Sequence, residues 1–241
     1  MGSTIDNIKI SIVIPAFNEA KSLNILIPEI ISIIKNFNEL IFELILVDDA
    51  SIDDSRVVIE NFSKKQDFIN PIFLDNRSGQ TGCFQAGFSL ASGAYIIRMD
   101  SDLQDSPSDL PKFFDAFIDG ADLVMGVREC RRHKKIFRLV SYVYDFLVVL
   151  LFNSPLHVNS GSFVGFRSDL VRNINFKKGD HRYLPLIAIR RGAINIREVF
   201  VRHRSRQYGE SKYKPLKKLF FGFFEVWRLF FRLTSGYYDK N

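Results

Sequence analysis

Cysteine is nearly absent. Two occur in 241 residues, Cys83 and Cys130, without the spacing of a metal site, so a disulfide framework is excluded and both read as free thiols of a reducing compartment. Long apolar runs are missing too. A membrane-spanning helix needs ~18–20 consecutive apolar residues, and the longest run, Leu139 to Phe152, is broken by Asp145. The chain is therefore expected not to span a membrane, although it can lie on one. Its first residues carry no signal-peptide pattern, and Asp6 stands where a myristoylation signal after Met1-Gly2 requires Ser or Thr. No internal repeat or low-complexity stretch is present, which removes solenoids from consideration. What remains is one large domain with a substantial core, expected in the cytoplasm.

Tryptophan occurs once, phenylalanine 24 times, and the net charge is +6, with a pI near 9.3. A basic balance favours acidic partners such as nucleotides and phospholipid surfaces. Nucleic acid is set aside, because no recognisable binding module accompanies the charge.

The first half alternates short β-branched runs with amphipathic ones. Strands are predicted at Lys9 to Pro15, Phe42 to Val47, Ile69 to Leu74, Tyr95 to Met99 and Ala121 to Val127. Helices are predicted between them: one to about Lys35 with Asn18 as N-cap, one opened by Ser51 and Asp53, one ending near Leu90, and one from Pro107 to Ile118. This spacing predicts an α/β fold, a mostly parallel sheet with helices on both faces, whose ligands bind outside the carboxyl ends of the strands. Polar clusters fall at those ends: Asn18/Glu19, Asp48/Asp49, Asn76/Arg77, Asp100/Asp102 and Arg128.

The sharpest of them is in YIIRMDSDLQDSP, Tyr95 to Pro107, where an apolar run (Tyr95, Ile96, Ile97, Met99) stops at Asp100, Ser101 and Asp102. Two carboxylates one residue apart on extended backbone can turn toward one cation, and oxygen ligands suit Mg²⁺ or Mn²⁺, completed by water and substrate phosphates. A strand end capped by solvated aspartates, with Pro107 opening the next helix, is the plainer alternative. It does not explain why acidic pairs close two separate strands.

The second half differs. Arg128 to Arg138 is dense in Arg and Lys, and a helical pattern follows to Phe152. Asn159 to Phe166 reads as a strand or loop, His181 to Arg191 as a helix, Ala193 to Val201 as a strand, and Arg204 to Tyr213 as a polar loop. Pro215 to Leu233 is a helix rich in Phe with Lys and Arg interleaved, which packs on the core, forms a dimer interface, or lies on a membrane surface.

Five motifs stand in order: IVIPAFNEA (Ile12 to Ala20), LVDDASIDDS (Leu46 to Ser55), MDSDLQDSP (Met99 to Pro107), GVR (Gly126 to Arg128) and RQYGESKY (Arg206 to Tyr213). On these the chain resembles the family 2 inverting glycosyltransferases of GT-A (Rossmann-like) fold, and within them the polyprenyl-phosphate glycosyltransferases of the dolichol-phosphate mannose synthase type. The resemblance implies a GT-A domain over 1–213, with a nucleotide-sugar half (1–127) and an acceptor half (128–213), and a C-terminal amphipathic stretch over 214–241. It implies metal-dependent, inverting transfer from a nucleotide-diphosphate sugar, UDP-sugar favoured, to a polyprenyl phosphate such as undecaprenyl phosphate in cell-envelope polysaccharide assembly. The protein would sit peripherally on the cytoplasmic face of the membrane.

By that resemblance Pro15, Ala16, Asn18 and Glu19 would line the base pocket, and Asp48 and Asp49 would contact base and ribose. Asp100 and Asp102, with Gln104 close by, would hold Mg²⁺ or Mn²⁺ on the diphosphate. Arg128, Arg138 and Ser141 would approach the acceptor phosphate, and Arg206 and Lys212 would close over the diphosphates. The catalytic candidates are thus Asp100, Asp102, Arg128 and Arg138. A lipid phosphate is already anionic and needs no general base, whereas a sugar hydroxyl does.

Three departures stand out. Ser101 and Ser106 occupy positions where the family often has Ala and Pro. Asn159 and Val164 replace the carboxylate and basic residue frequent in lipid-phosphate transferases. Bacterial relatives often carry membrane helices after this domain, and none precedes Asn241, which implies a peripheral form, a separate membrane partner or a homo-oligomer. Two rival readings follow. One is transfer to a saccharide hydroxyl, with Glu129, Asp145 or Asp180 as base; the other is a catalytically silent nucleotide-sugar-binding subunit.

Overall fold

The computed structural model describes residues 8–128, 162–204 and 227–239. The expectations on Cys130, the helical pattern to Phe152, Asn159, Glu129, Asp145, Arg138, Ser141, Arg206 and Lys212 lie outside the described residues.

Seven strands form one sheet: β1 (Ile8–Ala16), β2 (Leu40–Asp48), β3 (Ile69–Phe73), β4 (Tyr95–Arg98), β5 (Leu123–Arg128), β6 (Val164–Arg167) and β7 (Ile196–Val201). Their order is β3-β2-β1-β4-β6-β5-β7. All run parallel except β6, which is antiparallel to both β4 and β5. The helices are α1 (Ala20–Ile34), α2 (Ser55–Ser63), α3 (Gly79–Leu90), α4 (Leu110–Ile118), α5 (Leu184–Arg190) and α6, residues 227–234.

Strict alternation along the central strands builds two cores, as side chains on a strand point to opposite faces. Ile10, Ile12 and Ile14 of β1, with Leu44 and Leu46 of β2, pack against Leu23, Leu26 and Ile27 of α1 and Phe113 and Phe114 of α4. Val13, Ile45 and Val47 face the other way, against Phe84 and Phe88 of α3 and Leu184 and Ala188 of α5. Because both faces are covered, the strands read as near-continuous apolar runs. α3 sits close on the sheet because Gly87 has no side chain; a Cβ there would lie 2.3 Å from Val13 Cγ1.

The amino ends of the strands are sealed. Glu43, buried, accepts from Ser11 Oγ, from Ser92 N at 2.6 Å and from Gly93 N at 3.1 Å. The carboxyl ends remain open. From β1 the chain fills the sheet outward to β3, then returns to place β4 on the other side of β1. That reversal opens a crevice between the carboxyl ends of β1 and β4, where α/β sheets bind ligands.

The structure corrects three local expectations. Glu19, not Asn18, occupies the N-cap of α1, and Asn18 instead adopts a left-handed φ of 56°. α2 begins at Ser55, so Ser51 and Asp53 belong to the loop before it. The run closing β4 is not purely apolar, because Arg98 is buried within it. For the last helix, the described part packs on the core: Leu229, Leu233 and Tyr238 are buried with Ile174, Tyr183 and Ile187. Its other face exposes Trp227 and Phe231. No helix among the described residues is long and apolar enough to cross a membrane.

Candidate active site

The loop after β1 is held by the loop after β2. Asn18 N donates to Ser51 Oγ at 3.0 Å, Ile52 N to Asn18 Oδ1 at 2.9 Å, Glu19 N to Ser55 Oγ at 2.9 Å and Ala20 N to Asp53 Oδ2 at 3.2 Å. The serines and aspartate of LVDDASIDDS therefore set the shape of the FNE turn, since short polar side chains satisfy loop N–H groups that no strand pairs.

Asp48 and Asp49 play different parts. Asp48 lies fully buried behind the cleft; its Oδ2 accepts from Ser51 N at 3.1 Å and from Arg56 Nε at 2.9 Å. Asp49 stands on the cleft wall and accepts from Ser78 N at 2.6 Å and Gly79 N at 3.1 Å. It thus fixes the start of α3. Arg77, 3.6 Å from Asp49, lies flat on the Phe17 ring at 3.5 Å, a cation–π contact that closes one side of the cleft. Burial, helped by Asp49, pushes the Cys83 thiol up to about 12, so it stays protonated at neutral pH and is a poor nucleophile.

Beyond β4 the backbone reverses at Leu103, buried and left-handed at φ 63°. Such strain persists where surrounding structure imposes it, often at functional turns. The reversal sets Asp100 and Asp102 on the cleft wall. Gln80 Nε2 reaches Asp100 Oδ1 at 3.3 Å, and Gln104 N donates to Asp102 Oδ1 at 3.1 Å. Beneath them the Arg98 guanidinium lies 4.6 Å over the Phe84 ring and donates to the His181 carbonyl. Burial lowers the Arg98 pKa, opposed by Asp100 and Asp105. Burial and then Arg98 drive His181 down to about 3, so the ring is neutral, with Nδ1 2.8 Å from Thr81 Oγ1.

Asp105 ends the same turn and is buried. Burial and the neighbouring Asp100 raise its carboxyl to about 6, opposed by Ser162 and Arg128. Arg128, at the end of β5, brings Nη2 to 3.7 Å from Asp105 Oδ1.

Asp49, Asp100 and Asp102 join Phe17 and Arg77 around a cleft of about 160 Å³ at the β1/β4 crevice, and Arg128 lies outside its lining. The family model for glycosyl transferase family 2 matches residues 11–174. The chain belongs to glycosyl transferase family 2. It is 36% identical over 131 residues to undecaprenyl-phosphate 4-deoxy-4-formamido-L-arabinose transferase of Photorhabdus laumondii, covering 54% of this chain and 40% of that protein. It is 29% identical over 208 residues to dodecaprenyl-phosphate galacturonate synthase of Rhizobium johnstonii, covering 85% and 61%. The chain thus spans about half the length of the curated relatives it matches. Among solved structures, glucosyl-3-phosphoglycerate synthase from Mycobacterium tuberculosis in complex with UDP superposes with a TM-score of 0.67 at 20% identity, covering 94% of this chain and 80% of that one. That likeness confirms the GT-A type of sheet.

In this family 2 glycosyltransferase, the cleft gathers Pro15, Ala16, Glu19, Asp49, Asp100 and Asp102 from the residues expected on sequence. Asn18, Asp48 and Gln104 stand behind or beside it, holding loops in place. Arg77, placed on sequence only among the polar strand-end clusters, lines it with Phe17, Gln80 and Cys83, and Arg98, His181 and Asp105 underlie it; these last six were not expected as site residues. Arg98 was concealed inside a run that reads as apolar, and Asp105 inside a motif whose first two aspartates draw the chemistry. Asp180, a candidate base, is fully buried and accepts from Lys177 N, Arg232 Nη2 and Tyr238 OH, each at 2.6 Å. It anchors the C-terminal segment and has no access to a substrate.

Proposed function

We propose that this family 2 glycosyltransferase moves a sugar from a nucleotide-diphosphate sugar, UDP-sugar first among donors, to a polyprenyl phosphate, with inversion. The observation that carries the reading is the shared cleft: Asp100 and Asp102 face the same space as the β1–α1 loop and Arg77, so a nucleotide and its diphosphate fit one continuous site. The names of the relatives support the acceptor. Both act on a polyprenyl phosphate by name.

The donor set fits Mg²⁺ or Mn²⁺. Among the described residues no cluster of three or more His, Cys, Asp or Glu forms a metal cage. Two carboxylates without a thiolate or imidazole suit a hard cation that shares its shell with substrate phosphates. When bound, that cation would neutralise charge on the departing diphosphate as a Lewis acid. Gln80 and Gln104 N orient the two carboxylates. Pro15, Ala16 and Glu19, with Asn18 behind them, line the base pocket beside the stacked Arg77–Phe17 pair, and Arg128 and Arg138, with Ser141, receive the acceptor phosphate. Arg206 and Lys212 bind the diphosphate. Arginine matches phosphate bidentately. The attacking oxygen carries its own charge, so the chain supplies orientation and water exclusion and no base.

A membrane surface is the natural place for such an acceptor. The outer face of α6 shows Trp227, 39% exposed, and Phe231, 63% exposed, their rings 6.2 Å apart. Aromatic side chains of this kind, flanked by arginine, suit the headgroup boundary. The protein would then be peripheral on the cytoplasmic face.

The test is nucleoside diphosphate release from a panel of UDP- and GDP-sugars, with Mn²⁺ or Mg²⁺, with and without undecaprenyl phosphate. Release that requires both metal and lipid phosphate is the expected result and names the donor. Release indifferent to the lipid would overturn the acceptor assignment.

A further inference from the structure

Asp105 underlies the cleft without a role assigned so far, and it is buried close to the acidic pair, 1% exposed. Its Oδ2 accepts from Ser162 Oγ, just before β6. Its Oδ1 lies 3.7 Å from Arg128 Nη2, close enough for charge attraction and too far for a hydrogen bond. Two buried atoms are left over. Asp105 Oδ1 and Arg128 Nε have no hydrogen-bond partner among the described residues. Buried polar atoms left without partners are costly and uncommon, and each calls for an explanation such as a binding role. The main chain adds two ties: Asp105 bridges His203, and Gln104 O accepts from Arg204 N at 2.8 Å. One side chain and its neighbour thus connect the ends of β4, β5, β6 and β7.

We propose that Asp105 is a positioning residue for the acceptor: it holds the Arg128 guanidinium beside the Asp100/Asp102 pair while leaving its N–H donors for the incoming phosphate. This rests on the polyprenyl-phosphate reading above. The physical problem is that an anionic acceptor must approach two carboxylates that repel it. A cation fixed beside them offsets the repulsion, but a guanidinium free to swing is drawn onto those carboxylates and closes its own site. A bidentate pair with Asp105 would occupy the donors instead. A charge contact at 3.7 Å does neither: it orients the fork without a hydrogen bond to it, and Arg128 Nε keeps no hydrogen-bond partner among the described residues. Ser162 in turn stops Asp105 from rotating toward the arginine.

The experiment compares wild type with Asp105→Asn, Arg128→Gln and the double variant. Farnesyl phosphate, a short soluble polyprenyl phosphate, is titrated calorimetrically in Mn²⁺ and UDP, UDP affinity is measured alone, and acceptor and donor KM are taken in turnover. Asp105→Asn is near-isosteric, and its melting curve verifies folding. The expected result is that Asp105→Asn weakens farnesyl phosphate and raises acceptor KM by about ten- to a hundredfold, the loss typical of a charge-assisted contact, with UDP affinity and donor KM within about twofold. Added to Arg128→Gln, the same change should cost less than about twofold, because both act on one guanidinium. A merely structural role would move donor and acceptor alike. Unchanged acceptor affinity in Asp105→Asn, equal losses for donor and acceptor, or full additivity with Arg128→Gln would each overturn the proposal alone. Wild type that binds UDP but no farnesyl phosphate or undecaprenyl phosphate would overturn the acceptor reading, and this proposal with it.

Discussion

Replacing Asp180 with alanine tests whether the C-terminal segment is part of the catalytic domain or an appendage to it. Asp180 is fully buried and ion-paired with Arg232 at 2.6 Å, with Tyr238 OH and Lys177 N on its other oxygen. Alanine would leave the Arg232 charge uncompensated, a loss of about 3–5 kcal/mol for a buried pair broken on one side. The buried Tyr238 hydroxyl would add about 1–3 kcal/mol if independent. The two share one site and do not sum, so about 4 kcal/mol is expected. Against a domain stability of roughly 5–15 kcal/mol, the variant should fold but be marginal. Asp180→Asn keeps an acceptor oxygen and loses only the charge, so it should cost about half as much.

Urea denaturation followed by far-UV circular dichroism gives the global value. Trp227, the single tryptophan, lies in α6 and reports its release by fluorescence. In Asp180→Ala the Trp227 transition should precede the global one. Turnover of folded Asp180→Asn should stay near wild type, whereas loss of a general base costs about 10²–10⁴-fold. A destabilisation below about 1 kcal/mol with unchanged Trp227 emission would refute the anchoring role. A folded Asp180→Asn without activity would restore Asp180 as a base.

Four further outcomes are expected. Asp102→Ala should abolish turnover at saturating Mn²⁺ or Mg²⁺ while melting near wild type; near-normal activity in a donor-hydrolysis or transfer assay would end the metal assignment. His181, at about 3 in the folded chain against 6.5 ordinarily, binds its proton only when unfolded across that window. Stability is therefore complete above pH 6.5 and falls by up to about 1.4 kcal/mol per pH unit below it, a slope that His181→Gln should flatten in urea titrations at pH 5 and 7. Gly87→Ala should cost about 1–3 kcal/mol by thermal melting, since its Cβ would meet Val13 at 2.3 Å and a packed sheet gives little room. Trp227→Ser with Phe231→Ser should reduce co-sedimentation with anionic vesicles without lowering the melting temperature; unchanged sedimentation would leave that face without a membrane role.

The order of elements was present in the sequence because it depends on local chemistry. A buried parallel strand is mostly apolar on both faces, and KISIVIP and FELILV are so apart from Ser11 and Glu43, which pair with each other; a carboxylate that ends such a run marks a sheet edge. The positions of Asp49, Asp100 and Asp102 at open strand ends followed from that pattern alone, and the motifs that resemble family 2 transferases added their roles. Tertiary structure decided what depends on contacts distant in sequence. Asn18 and Glu19 are shaped by Ser51, Asp53 and Ser55, more than thirty residues away, so no local cap rule could foresee the turn. Arg98 is tolerated in a buried strand only because Phe84 and the His181 carbonyl meet it there. Asp105 and Arg128 become a pair only when β6 brings Ser162 between the ends of β4 and β5, and Asp180 reads as a base until Arg232 and Tyr238 fold onto it. A carboxylate's chemistry is set by which charges and donors surround it, and those neighbours are chosen by the fold.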